Sequence, residues 1–219
     1  MSYHFKNRRA AGLLLAEELA RRVKGQVVRV LALPRGGVPV GFEIAQRLGV
    51  PLEIFLVRKL GVPGHEEFAM GAISSGGGLF LKGQTIEDLK IPAAEIDQVI
   101  ARETQELHRR ETAYRQDHAL EVAGDVVVVV DDGLATGASM RTAVRALRRQ
   151  QPRRIIVAVP VAAASACEEM AADADEVVCL YTPVQFHAVG EWYEDFSQTS
   201  DEEVLELLSR SKPLEAAGD

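Results

Sequence analysis

The stretch that most constrains this chain is Gly124–Ser139, GDVVVVVDDGLATGAS. Val126 to Val130 is an unbroken β-branched run, too short for a helix and apolar on both sides. It fits a central parallel strand covered by helices on each face. Asp131 and Asp132 follow at the carboxyl end of that strand, and Gly133-Leu134-Ala135-Thr136-Gly137-Ala138-Ser139 turns into an amphipathic helix expected over Met140 to Arg149. Such a turn gathers free backbone N–H groups where the helix dipole is positive, so a phosphate is its natural occupant. Gly133 and Gly137 can take positive φ and let a ligand approach the backbone, and Thr136 and Ser139 add hydroxyl donors. Two carboxylates beside this cradle would repel a bare phosphate. They suit a ligand that also brings sugar hydroxyls or a hydrated Mg²⁺. VVVVD alone reads as a buried strand with an Asp-rich turn; the whole string favours a phosphorylated sugar with vicinal hydroxyls. Neither G-x-x-x-x-G-K-[ST] nor G-x-G-x-x-G after a strand occurs.

This stretch resembles the phosphoribosyl pyrophosphate (PRPP) binding motif of the type I phosphoribosyltransferases: a strand, two acids, then a Thr-Gly loop. The resemblance implies that Asp131 and Asp132 face the ribose hydroxyls and hold Mg²⁺ through water. It implies that Ala135 to Ser139 hold the 5-phosphate, with Gly133 and Leu134 completing the loop. Some purine-specific members carry an Asp where this chain has Ala135, which leaves the identity of any general acid or base open. The implied fold is a three-layer α/β/α domain with a mostly parallel sheet of six strands in the order 3-2-1-4-5-6, the third antiparallel. The implied reaction displaces pyrophosphate from C1 of PRPP by a nitrogen nucleophile.

Val27 to Leu33 reads as the first strand and runs into Pro34-Arg35-Gly36-Gly37 before a helix over Val38 to Leu48. PRGG alone is a simple turn. Beside a first anion site it reads as a second one, with Arg35 as a forked charge and Gly36 and Gly37 admitting a ligand to the backbone; in the resemblance it matches the loop that grips pyrophosphate. Leu52 to Val57 reads as a strand ending in Arg58-Lys59. In the family a basic residue of a mobile loop closes here over pyrophosphate, which makes Lys59 the first candidate and Arg58 the second. Val62 to Glu67 has the Pro/Gly content of such a loop, with His65, Glu66 and Glu67 as solvated residues that a closing lid can bring to the site.

Ala69 to Ser74 and Leu79 to Leu81 read as a β-hairpin, and Pro92 to Tyr114 as a long polar helix, solvated or dimerising. Arg154 to Pro160 and Glu176 to Leu180 are two further strands around a helix over Ala163 to Ala172. Helices over Arg8 to Val23 and Asp201 to Leu208 complete the set, the latter capped by Thr199 or Ser200. Thr182 to Gln198 concentrates Phe186, Trp192, Tyr193 and Phe196 in a chain that is only 5% aromatic. It reads either as a flap on the core or, by position in the resemblance, as the acceptor side, where Trp192 and Tyr193 stack on a planar ring and His187 and Glu191 bond to it. The expected division is a core over 1–182, with a hairpin and helical insert at about 74–118, and an appended segment over 183–219 whose tail, 211–219, is frayed.

Composition bounds the partners. With 219 residues and 47% hydrophobic content, the chain can bury one large core. A net charge of −7 argues against nucleic acid as a partner. The amino terminus has no apolar h-region, and the longest apolar run, Ile155 to Cys167, contains Pro160 and is too short to span a bilayer. Cys167 and Cys179 read as reduced thiols, so a cytoplasmic setting is expected. The expected partners are PRPP and a small-molecule nitrogen acceptor, with homodimerisation undecided by sequence. Two other functions fit the central motif. A PRPP or nucleotide sensor needs the acids and the Thr136 loop but neither Arg35 nor Lys59; a hydrolase uses water as the acceptor.

Overall fold

The computed structural model describes residues 4–114 and 120–211. The elements run α1 (Arg8–Arg22), β1 (Val28–Ala32), α2 (Gly37–Leu48), β2 (Leu52–Ile54), β3 (Val57–Val62), β4 (His65–Ser74), β5 (Gly78–Leu81), α3 (Gly83–Asp88), α4 (Ala93–Ala113), β6 (Val126–Val130), α5 (Ala138–Arg149), β7 (Arg154–Val161), α6 (Ala164–Met170), β8 (Glu176–Tyr181) and α7 (Asp201–Ser211). The main sheet is parallel throughout, in the order β2-β1-β6-β7-β8.

β6 lies at its centre, and its five valines are fully buried. Alternation explains why none can be polar. Val126, Val128 and Val130 share one core with Leu15 and Leu19 of α1 and Val40 and Ile44 of α2. Val127 and Val129 meet Met140, Val144 and Leu147 of α5 and Met170 of α6 on the other face. Each buried valine contributes about 1.5–3 kcal/mol before its entropy cost. On the first face α1 and α2 cross closely: a Cβ added at Gly12 would lie 2.9 Å from the Val40 carbonyl oxygen. The side chain of Asn7 caps α1 by accepting the Ala10 N–H at 2.9 Å.

The main sheet has five strands, one fewer than the resemblance implies, and the missing antiparallel strand is found elsewhere. The apolar run from Leu52 does not continue in one sheet to Val57. The Phe55 N–H still donates to the Ala32 carbonyl at 2.9 Å. At Leu56 the chain is handed to a second sheet, its N–H donating to Ser75 Oγ at 3.1 Å and its carbonyl accepting the Ser75 N–H at 2.9 Å. β3, β4 and β5 then form an antiparallel three-stranded sheet, with Leu60, Val62 and Met70 packed towards Val99 and Leu107 of α4. The expected mobile loop over Val62 to Glu67 is a tight hairpin turn, Val62 pairing with His65 across Pro63 and Gly64, and Gly64 at φ 77°. Lys59 therefore belongs to a strand.

The expected hairpin of β4 and β5 is present, and so are the long helix α4 and the last helix, where Ser200 Oγ accepts the Glu203 N–H at 3.2 Å. The side chain of Glu67 and residues 212–219 of the expected tail lie outside the described residues. Among the described residues, no helix is long and apolar enough to cross a membrane.

Candidate active site

Two loops leave the carboxyl ends of β1 and β6 and touch. The Leu33 N–H donates to the Val130 carbonyl at 2.9 Å, and the Gly37 N–H to the Leu33 carbonyl at 3.0 Å. A Cβ added at Gly36 would overlap Asp132 Oδ2, and one at Gly37 would lie 2.6 Å from the Val130 carbonyl oxygen. What the two glycines admit in this structure is the neighbouring strand end and its acid, with the Gly37 N–H already used inside the chain. Gly133 is likewise a close-approach glycine and not a positive-φ one: its added Cβ would meet Val189 Cγ1 at 2.6 Å.

The remainder of the β6 loop is anchored at one point and open at the next. Leu134 is buried, donating its N–H to Val161 and accepting that of Ala163, both at 3.0 Å, so its backbone pins the loop to the end of β7. Ala135 and Thr136 are exposed. Gly137 takes φ 66°, as a left-handed turn into α5 requires. Ala138 and Ser139 open the helix on its exposed side, with the Ala138 N–H only 3.4 Å from Thr136 Oγ1. The N–H groups of Ser139 and Met140 have no intrahelical acceptor by helix geometry. The result is a concave set of donors at a positive helix end.

The acids sit beside it, half-buried. Asp131 Oδ1 accepts the Asp132 N–H at 2.8 Å. Asp132 Oδ2 pairs with Arg8 Nε at 2.7 Å, the two side chains being only 15% and 12% exposed. Burial, and then the charge of Asp132, hold the Asp131 carboxyl well above the usual carboxylate range. Burial also raises Asp132, with Arg8 opposing it. Adjacent carboxylates in this state attract a cation or hydroxyl donors.

The candidate cations divide. Neighbours on a strand point to opposite faces. Arg58 turns to α4, its Nη2 and Nε lying 2.5 and 3.0 Å from Glu103 Oε2. Lys59, on the other face of the strand, lines a cleft of about 480 Å³ with Ala138, Ser139, Lys82, Arg141 and Arg145. Arg141 and Arg145 are paired with Glu169 and Asp173 of the α6 region. Arg35 is partly exposed and lies 3.8 Å from Asp201 at the start of α7. Asp201 also accepts the Tyr114 hydroxyl at 2.8 Å; that phenol is pushed up to about 12, chiefly by burial.

The aromatic segment is placed differently from expectation. Tyr193 is buried, its ring 5.5 Å from that of Phe5 and 5.1 Å from that of Phe196, which leaves no open face for a planar acceptor. Its hydroxyl instead donates to the Asp132 carbonyl at 2.6 Å, and burial holds the phenol protonated. Trp192 packs on His4 and Tyr181. His187 and Glu191 are exposed. The segment clasps the amino terminus: the Phe5 N–H donates to the Trp192 carbonyl and the Glu194 N–H to the Phe5 carbonyl, each at 2.8 Å. Sequence reasoning did not find Arg8, Glu103 or Asp201. Arg8 is one of two arginines opening a helix, and its partner lies 124 positions away.

Residues 7–195 match the family model described as the phosphoribosyl transferase domain. Two proteins of Mycobacterium tuberculosis, from strains CDC 1551 and H37Rv and both provisionally named phosphoribosyl transferases, are 42% identical to this chain over 208 residues. Those alignments cover 94% of this chain and 47% of the relatives, so the chain spans about half the length of the curated relatives it matches. The crystal structure of TT1426 from Thermus thermophilus superimposes with a TM-score of 0.82 at 43% identity, covering 96% of this chain and 99% of that one.

Proposed function

Because the chain belongs to the phosphoribosyl transferase domain family, we propose that it binds PRPP with Mg²⁺ and transfers the 5-phosphoribosyl group to a nitrogen acceptor, releasing pyrophosphate. The observation that carries this reading is the contact between the two strand-end loops, one with a helix-end cradle of N–H donors and the other with Arg35. The 5-phosphate belongs on Ala135 to Ser139, where the donors converge and Gly137 makes the left-handed turn into α5 that aims them. Each acid uses one oxygen inside the protein, Asp131 Oδ1 on the Asp132 amide and Asp132 Oδ2 on Arg8. That leaves two carboxylate oxygens for two vicinal ribose hydroxyls.

Among the described residues, no three His, Cys, Asp or Glu side chains converge as a metal cage. Two adjacent half-buried carboxylates fit a divalent ion that arrives on the ligand and keeps its water. Asp131 and Asp132 would hold Mg²⁺ in that way, and when bound it supplies neutralising charge to the pyrophosphate. Transfer breaks the bond from C1 to the pyrophosphate oxygen, which keeps the electron pair, as the acceptor nitrogen bonds to C1 and releases its proton to the departing pyrophosphate or to solvent. Arg35 and Lys59 oppose the charge that develops on the leaving group, so the protein contributes mainly position and electrostatics. The cleft that Lys59 shares with Ser139 favours transfer over sensing, since a sensor has no need of that cation.

Calorimetric titration with PRPP and Mg²⁺ tests the loop assignment. Gly137→Val should weaken binding strongly, because it forces a β-branched residue into a left-handed turn with its Cβ 3.4 Å from Met170 Cε, which displaces the loop that presents the donors. Unchanged affinity in that variant removes the 5-phosphate from this loop.

A further inference from the structure

Two segments distant in sequence, Phe5 to Asn7 and Trp192 to Asp195, meet beside the acid pair. The Phe5, Lys6 and Asn7 segment is tied to Trp192, Glu194 and Asp195 by backbone bonds and then starts α1, so Arg8 stands on the first residue of a fixed helix. Among the described residues, three contacts hold its guanidinium. Nε donates to Asp132 Oδ2 at 2.7 Å, Nη1 donates to the Ser197 carbonyl at 2.7 Å, and the plane lies over Phe196 at 3.9 Å. Asp132 is also held from its backbone side by the Tyr193 hydroxyl, and Gly36 closes against its carboxylate.

This arrangement treats two adjacent like residues unequally. Asp132 is oriented by a long-range charge, whereas Asp131 is oriented by the neighbouring amide. Without Arg8, two carboxylates one residue apart would repel each other, and Asp132 would gain rotamers that carry its oxygens away from Asp131. A planar fork fixed at three points restrains a carboxylate in a way that a point charge on a flexible stem does not.

We propose that Arg8 is a positioning residue for ribose recognition: by holding Asp132 Oδ2 it sets Asp132 Oδ1 beside Asp131 Oδ2 as the pair that receives the vicinal hydroxyls. This rests on the phosphoribosyl reading above. Arg8 acts through Asp132 and does not itself touch the substrate.

The test compares a ribose-bearing ligand with one lacking ribose. PRPP and inorganic pyrophosphate, each with Mg²⁺, are titrated into the unaltered protein, Arg8→Met, Arg8→Lys, Asp132→Asn and the Arg8→Met/Asp132→Asn pair. Arg8→Met should weaken PRPP by roughly tenfold or more, the scale of one charge-assisted hydrogen bond, and leave pyrophosphate affinity as it was. Arg8→Lys should recover part of that loss. The double variant should bind PRPP no more weakly than its weaker parent. Should Arg8→Met fail to fold, Phe196→Leu removes the guanidinium's platform and should show the same selective loss in milder form. Wild-type PRPP affinity in the Arg8 variants, or equal loss of both ligands, overturns the positioning role. An unaltered protein that binds pyrophosphate but not PRPP overturns the phosphoribosyl reading, and the proposal with it.

Discussion

Two pairs of adjacent like charges, Asp131-Asp132 and Arg58-Lys59, meet opposite fates. Arg58 and Lys59 lie within β3, where the two-residue period sends one side chain to Glu103 and the other to the cleft with Ser139. Asp131 and Asp132 lie just past β6, where no ladder imposes alternation, and both can serve one site. Past the end of the strand a like-charged dipeptide is free of the two-residue period, and both side chains can lie on one side. Inside a strand the period sends the two side chains to different neighbours.

The sharpest way to break this comparison is to neutralise the converging pair. Asp131→Asn with Asp132→Asn should lower PRPP affinity by at least ~100-fold, about 3 kcal/mol for two charge-assisted hydrogen bonds, while the fold persists. Normal binding with early melting would make the acids structural.

The separated pair should respond asymmetrically. Lys59→Ala should slow pyrophosphate-releasing turnover by ~100-fold, about 3 kcal/mol, with a much smaller change in PRPP affinity. Arg58→Ala should leave turnover nearly intact and lower unfolding stability by about 1–2 kcal/mol, because it strips a partner from the buried Glu103. Steady-state kinetics and denaturant melts on both variants check this. Equal effects on turnover would mean that strand alternation does not separate the two roles.

A smaller effect follows from the raised Asp131 carboxyl. Its folded form holds the proton more tightly than the unfolded chain, so the stability it confers is present below the unfolded value of about 4 and falls as pH rises towards the folded value. Asp131→Asn removes that loss. With chelator present, its melting temperature relative to the unaltered protein should climb as pH rises above about 4; a gap constant with pH would contradict the burial.

The parts legible in the sequence were those whose cause is local. The valine run demanded a two-sided core, and the glycine at 137 demanded a left-handed turn; both effects act within a few residues. The break inside Leu52 to Val57 was not legible, because an apolar run looks the same whichever sheet it joins, and the hand-over depends on Ser75, 19 residues away from Leu56. The clasp of Arg8 and Tyr193 on Asp132 was hidden for the same reason, its members being 124 and 61 positions from the acid. Aromatic content suggested a stacking surface at Tyr193, yet the ring is packed and the hydroxyl carries the contact.

Pyrophosphate release from PRPP and Mg²⁺, measured against a panel of nucleobases and small amines, tests the central claim most directly. The expected result is release that depends on one class of nitrogen acceptor and disappears in the Asp131→Asn/Asp132→Asn protein. Tight PRPP binding with no acceptor-dependent release across the panel would contradict transfer and leave a protein that only senses its ligand.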